Sequence, residues 1–327
     1  MRRVLVTGAA GFLGFYLARL LARNSDTKVI CVDNFIRGEP DGAYRELTAR
    51  ANVERVDMDL NDQAAVRTLP ENVDLIFHMA ALNGTQNFYE RPFEVLKCCT
   101  LPTIHLIDRY GPTGRIRRFV YAGSSEAYAS TVTRFAWPIP TGEDVPLSID
   151  DVFNSRWSYG CSKIHGEIAT INGCRQFDVP FTIVRYHNAY GPRMGDKHVV
   201  PDFLLRARRG VFELYGYDDS RSFIYADDAA RATVALAETE SAAGEIVNVG
   251  GEREIRIRDL GEMMMKLCGF EGEIVLHPSP AGSVKRRAPK LDRLRELIGY
   301  EETVSLEEGL KRTAKAYLEP LPDIGID

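Results

Sequence analysis

The stretch "RVLVTGAAGFLG" (3–14) decides the fold. A short apolar run enters a glycine-rich turn. The turn leads into "GFYLARLLARN" (14–24), where Leu17, Leu20 and Leu21 recur at helical spacing. Gly8, Gly11 and Gly14 make the pattern GxxGxxG, with Phe12 and Leu13 between the last two. One glycine permits a tight turn, another lets the backbone approach a pyrophosphate, and a third allows a helix to pack closely on a strand. The helix N-terminus then offers unpaired N–H groups and a favourable dipole to an anion. Strand, glycine turn and helix in this order predict the opening of a dinucleotide-binding unit.

Working outward, "KVICVDN" (28–34), "VERVDMDL" (53–60), "VDLIFHMAA" (73–81), "RRFVYAGSS" (117–125) and "FTIVRYHN" (181–188) read as further strands. Strands separated by helices imply a parallel sheet with right-handed crossovers. Continuous apolar runs such as "LIF" suit strands covered on both faces. After about residue 190 the segments shorten, and prolines and basic residues become more frequent. The expected fold is α/β: a Rossmann-type doubly wound parallel sheet with a smaller C-terminal substrate-binding α/β domain. Residues 1–180 are expected in the first domain, with 221–245 returning to it, and residues 181–220 and 246–327 in the second.

The chain has 327 residues, enough for two domains, and 45% apolar content, ordinary for a globular protein. A net charge of −5 gives no general attraction to nucleic acid. Local clusters such as "RIRR" (115–118) and "KRR" (285–287) suit a small anion instead. The six cysteines, Cys31, Cys98, Cys99, Cys161, Cys174 and Cys268, show no CxxC and no zinc spacing. No metal site is expected, and scattered thiols fit a reducing cytoplasm. The two leading arginines and the apolar run after them resemble a signal peptide, but the glycines interrupt the run and no cleavage site follows. The run is also too short to span a membrane, so we read it as part of a folded core.

Asp33 ends the second strand, about twenty residues after the glycines. A carboxylate there accepts both ribose hydroxyls and repels a 2′-phosphate, which favours NAD over NADP. The plain alternative is a strand-end Asp that caps a turn. Arg37 lies close enough to weaken the distinction. Asp59 and Leu60, after the third strand, are placed to meet the adenine.

"RWSYGCSK" (156–163) puts Tyr159 and Lys163 four places apart, on one helical face. A Tyr titrates near pH 10 and a Lys slightly higher. A neighbouring cation favours the phenolate, which is one route to a base that works near neutral pH. The plain alternative is a half-buried Tyr beside a solvated Lys.

With "HMAA" (78–81), "GSSEAY" (123–128), "YGCSK" (159–163), "RYHNAYGP" (185–192), "RSFIYADD" (221–228) and the "KRRAP" run, these motifs stand in an order that resembles the extended short-chain dehydrogenase/reductase family. Within it they resemble the branch of NAD-dependent nucleotide-sugar epimerases, dehydratases and decarboxylases. The resemblance implies a bound NAD that takes a hydride from a sugar carbon, usually C4, and usually returns it. It implies Tyr159 as the base, Lys163 as the residue that holds the nicotinamide ribose and depresses the Tyr pKa, and Ser124 as a hydrogen-bond partner of the same sugar hydroxyl. Ser125 and Glu126 complete the implied catalytic stretch. The implied cofactor contacts are Gly8, Gly11, Phe12, Leu13, Gly14, Asp33, Asn34, Asp59, Leu60, Met79, Ala80, Ala81, Tyr159 and Lys163. The implied contacts to a nucleotide-diphosphate sugar are Thr85, Asn188, Val200, Arg221 and Arg287, the arginines on the diphosphate. A homodimer through helices near 94–109 and 157–175 is also implied.

Glu126 bears on which reaction follows. The family's decarboxylases and 4,6-dehydratases carry Glu there, and many dehydratases place Asp before it, where this chain has Ser125. "SSE" and "KRRAP" look like the UDP-glucuronate decarboxylases, while "LNGTQNFYERP" (82–92) and Cys99 depart from the usual substrate loop. Epimerisation needs only C4 oxidation, rotation of the keto-sugar and hydride return to the other face. The expected order is therefore 4-epimerase, then decarboxylase, then 4,6-dehydratase. A non-catalytic NAD-binding regulator is the reading of another class; such relatives typically lose the Tyr or the Lys, and both are present here.

Overall fold

Six strands follow the apolar runs: β1 (Arg2–Thr7), β2 (Thr27–Asp33), β3 (Val53–Asp57), β4 (Leu75–His78), β5 (Arg118–Ser124) and β6 (Phe181–Tyr186). This computed structural model describes residues 1–195, 198–208, 212–272, 274–279 and 284–318. With Glu245–Val249 as a seventh strand, the sheet order is β3-β2-β1-β4-β5-β6 and then Glu245–Val249, parallel throughout. The alternation of side chains across each strand builds two cores. Val4, Val6, Val29, Cys31, Phe77 and Val120 pack on one face. Leu5, Ile30, Ile76, Phe119 and Tyr121 pack on the other. The doubly wound α/β sheet is as expected.

A second lobe has its own core, including Tyr190, Phe203, Leu204, Phe212, Leu260, Met264 and Leu310. It contains helices Val199–Arg208, Ile257–Leu267 and Leu306–Leu318 and, among the described residues, three small sheets. In one, Ser220–Ser222 lies between Glu254–Arg256 and Arg286–Arg287.

The expected domain limits need correction. β6 pairs with both β5 and Glu245–Val249, because Phe181, Ile183 and Val184 are apolar on both faces and need cover on both. The first boundary therefore falls after Tyr186, not at residue 180. The return begins with helix Ala226–Glu238, whose alanines pack against helix α1 (Phe12–Leu21) in the first core, and it runs through Val249. Arg221 belongs to the small sheet. Leu291, Leu294 and Tyr300 also join the first core, so the segment from 246 onward is shared between lobes. Residues 319–327 lie outside the described residues.

Candidate active site

A cleft of about 850 Å³ opens at the C-terminal ends of the parallel strands, where open α/β sheets bind ligands. It is lined by every expected site residue except Val200 and Arg221. Val200 is fully buried in the second lobe, on the apolar face of its helix with Phe203 and Leu204, so its expected contact with substrate is corrected.

The glycines act through space and torsion. Gly8 has φ +66°, and a Cβ on it would lie 2.8 Å from the Ala80 backbone. A Cβ on Gly14 would lie 2.0 Å from the Gly8 carbonyl oxygen, so only glycine lets α1 start this close to β1. Asp33 Oδ2 accepts from Ala10 N–H at 2.9 Å, and Oδ1 accepts from Phe35 N–H at 2.8 Å. Burial pushes its carboxyl up, while hydrogen bonds from Phe35, Ala10, Gly11 and Asn34 pull it down. Asp33 thus ties the glycine loop to the end of β2 at the cofactor wall. Asp59 Oδ1 accepts from Asn34 Nδ2 at 3.3 Å and from Asn61 N–H at 3.0 Å.

Behind Met79, Ala80 and Ala81, Thr7 Oγ1 accepts from the N–H groups of Met79 at 3.1 Å and Ala80 at 3.2 Å. Its own proton goes to His78 Nδ1 at 2.8 Å, which leaves His78 Nε2–H to donate to Thr103 Oγ1 at 3.0 Å. Burial, with a smaller push from Lys163, lowers the His78 pKa to about 3, so the ring is neutral.

The half that holds the expected catalytic residues is assembled from distant segments. β5 ends in Ser124, and a 3₁₀ turn (Ser125–Tyr128) follows with Ser125 and Glu126. Helix Trp157–Gln176 supplies Tyr159 and Lys163. Lys163 Nζ sits 5.5 Å from the Tyr159 ring centroid and donates to the Ala122 carbonyl at 2.8 Å. Tyr159 stacks on Phe88 with centroids 4.9 Å apart. The pair converges as expected, but the electrostatics differ from the expectation. Burial first, and then Cys99, raise the Tyr159 phenol above its ordinary range. Arg37 and a hydrogen bond with Ser124 pull it down. Burial also lowers the Lys163 pKa. Arg37 turns toward this end of the cleft, with Nη2 at 2.9 Å from His198 Nε2.

Glu126 Oε1 accepts from Arg287 Nη1 at 2.7 Å, and Oε2 lies 3.5 Å from Arg156 Nη2. Burial opposes ionisation, yet the charges of Arg287, Arg156 and Arg221 hold this carboxyl below its ordinary range. Arg221 stands behind the wall, donating to the Ser220 carbonyl at 2.7 Å. Burial, then repulsion by Arg287, pushes its pKa down to about 10. Thr85 opens a short helix on the cleft wall (Thr85–Glu90). Asn188, at φ +41°, donates to the Ser222 carbonyl at 2.9 Å.

A buried network fixes these parts to one another. Glu167, one turn past Lys163, holds Arg185 at 2.8 and 2.7 Å, and Arg185 donates to the Tyr128 hydroxyl at 2.7 Å. Tyr128 donates to Asn248 Oδ1 at 2.9 Å, and Asn248 Nδ2 donates to the carbonyls of Thr141 at 3.0 Å and Lys290 at 3.3 Å. Sequence reading missed Arg156, Phe88 and the reach of Arg37 into the reacting end. Arg156 had a signal, three places before Tyr159 on the same helical face. Phe88 had none, since its partner lies on another helix.

Comparison with known proteins turns this geometry into a family assignment. The model of the NAD dependent epimerase/dehydratase family matches residues 4–250. The chain belongs to that family. It is 31% identical to a UDP-N-acetyl-alpha-D-glucosaminuronate decarboxylase of Bacillus cytotoxicus, over 97% of this chain and 98% of the relative. Its fold matches UDP-glucose 4-epimerase from Thermotoga maritima with a TM-score of 0.84, at 26% identity, over 98% of this chain and 100% of the other. It matches UDP-glucuronic acid 4-epimerase from Bacillus cereus, solved with UDP-glucuronic acid and NAD, with a TM-score of 0.85 at 25% identity, over 96% and 98% of the two chains. NAD is the cofactor of this epimerase/dehydratase-family member, and the backbone cradle at Gly8 and Gly14 fits its pyrophosphate. Among the described residues, no helix is long and apolar enough to cross a membrane.

Proposed function

We propose that the chain oxidises a nucleotide-linked uronic acid at C4 and then decarboxylates it. The observation that carries this reading is the Glu126–Arg287 pair on the wall that also holds Ser124 and Tyr159. Bound NAD supplies the hydride acceptor and donor at C4. Tyr159 takes the proton of the C4 hydroxyl, and Ser124 holds the same oxygen. Arg37 offsets part of the burial that opposes the phenolate. Lys163, anchored on Ala122, fixes the Tyr159 ring. Asn188, on the cleft wall, is assigned to the diphosphate, and Arg221, behind the wall, acts on it only through its charge.

A C4 ketone makes the C6 carboxylate of a uronic acid a β-keto acid. Its C5–C6 bond breaks, carbon dioxide leaves, and the electron pair passes into a C4–C5 enolate whose oxygen Tyr159 and Ser124 hold. A proton then adds at C5, and the C4 ketone is reduced back to the alcohol. Arg287 draws the carboxylate in. Glu126, kept ionised beside it, raises the energy of that carboxylate, and loss of carbon dioxide relieves the repulsion. The order expected from sequence, with epimerisation first, changes here because a simple 4-epimerase has no need of this pair, and because the decarboxylase relative aligns over nearly the whole chain. The second reading, 4-epimerisation, is supported by the likeness to two 4-epimerases.

The test is incubation of NAD-loaded protein with UDP-glucuronic acid, UDP-N-acetylglucosaminuronic acid and UDP-glucose, read by mass and proton NMR. Loss of carbon dioxide from a uronate supports decarboxylation. Unchanged mass with an altered H4 coupling supports epimerisation, and turnover of UDP-glucose alone removes the uronate reading. We also propose a homodimer. Phe93 and Ile104 on helix Pro92–Tyr110 and Ile168 on helix Trp157–Gln176 are exposed, and these two helices, which pack on each other, are those of the expected interface. Light scattering at micromolar concentration should give twice the monomer mass, and a monomer refutes the dimer.

A further inference from the structure

A second cavity, of about 390 Å³, lies away from the cleft, at the far end of α1. It is lined by five arginines, Arg19, Arg23, Arg50, Arg231 and Arg312, and by one acidic residue, Asp227. This concentration runs against the chain's net charge of −5. Three of the arginines have counter-ions. Arg19 pairs with Asp227 at 2.6 Å, Arg312 with Glu308 at 2.6 Å, and Arg231 with Asp228. Arg23 and Arg50 form no side-chain hydrogen bond and no ion pair among the described residues, and both are exposed. Like charges gathered around one hollow repel one another, and an anion placed among them removes that repulsion. Among the described residues no aromatic ring lines the cavity, so none of them is placed there to stack a base.

We propose that this cavity is a second anion site, separate from the nucleotide-sugar cleft, and that it takes an oligophosphate through its phosphate chain alone. Guanidinium forks suit phosphate oxygens, and several around one hollow suit several linked phosphates better than one. The volume falls within the usual range for small-ligand sites. α1 has 10 residues, so its length, about 15 Å, separates this site from the glycine loop. An inorganic oligophosphate and the phosphate tail of a nucleoside triphosphate share this chemistry.

The experiment is calorimetric titration of the NAD-loaded protein with tripolyphosphate, UTP and sulfate at matched ionic strength, on the wild type and on Arg23→Gln/Arg50→Gln. The variant removes two charge-assisted donors, so tripolyphosphate should bind at least about tenfold more weakly, while KM for the nucleotide sugar stays unchanged. Equal affinity of the two proteins for tripolyphosphate overturns the proposal. So does sulfate binding as tightly as tripolyphosphate, which would mean only general charge attraction. In the component that depends on Arg23 and Arg50, UTP no tighter than tripolyphosphate supports recognition by phosphate alone, and markedly tighter UTP overturns it. The variant Arg23→Lys/Arg50→Lys keeps charge but loses the fork. Its affinity should fall between the other two, and full retention overturns the guanidinium reading.

Discussion

The two halves of the cleft are made in different ways. In the dinucleotide half, Gly8 lies against the Ala80 backbone, Gly14 against the Gly8 carbonyl, and Asp33 on the N–H groups of Ala10 and Phe35. Main-chain atoms do most of that work. In the sugar half, Glu126 meets Arg287 from 161 positions away, and Tyr159 rests on Phe88 from another helix. There the work belongs to side-chain charge and packing. A half made of backbone tolerates little change of shape at its glycines. A half made of side chains can change its chemistry one residue at a time while the sheet beneath stays the same.

The largest test of this contrast is in the sugar half. Tyr159→Phe keeps the ring on Phe88 and removes the proposed proton acceptor. Turnover should fall about 10²- to 10⁴-fold, with nucleotide-sugar binding retained in an equilibrium titration. Unchanged turnover would remove Tyr159 from the chemistry. Next comes Glu126→Gln, which leaves Arg287, Arg156 and Arg221 without their shared carboxylate. Decarboxylation should slow about 10²-fold, as measured by carbon dioxide release. If release is unaffected, the pair is structural only.

The dinucleotide half should respond in stability and cofactor retention. Gly14→Ala puts a methyl 2.0 Å from the Gly8 oxygen. Such overpacking costs about 1–3 kcal/mol, read as a lower Tm and less NAD carried through purification. A variant with the wild-type Tm and full NAD would show that the loop yields easily. The smallest effect concerns acid. Burial lowers His78 and His187 to about 3, from the ordinary 6.5. Between those values the unfolded chain binds the protons that the folded chain refuses. Stability therefore rises with pH across that window and is lost as pH falls below 6.5. The slope is about 1.4 kcal/mol per pH unit for each ring. His78→Gln should flatten the acid limb of a denaturant series, and an unchanged limb would argue that His78 is protonated in the fold.

The same contrast explains what could be read from sequence. The apolar runs that became the sheet and the spacing of Gly8, Gly11 and Gly14 are local patterns, each interpretable within a dozen residues. Tyr159 and Lys163 were legible because one helical turn brings them together. β6 was read as a strand, but its place in the sheet was lost when the domain boundary was drawn before it, because pairing partners are not written in a strand's own residues. Val200 was misplaced for a similar reason: an apolar residue beside basic and glycine-rich segments reads alike whether it faces a ligand or a core. The clustering of Glu126 with three arginines depends on where the second lobe folds back, which composition does not encode.

The junction at Asn248 has a mechanical consequence. Its amide is bonded to Tyr128 behind the Ser124 strand end and to Lys290, three residues from Arg287, while Lys290 in turn donates to the Thr141 carbonyl at 2.8 Å. The stretch bearing Arg287 is thereby riveted to the sheet and travels with it. On another wall of the cleft the connection runs between side chains alone, with Arg37 Nη2 at 2.9 Å from His198 Nε2. A change at Asn248 is therefore expected to be felt at Arg287, through Lys290 rather than by direct contact.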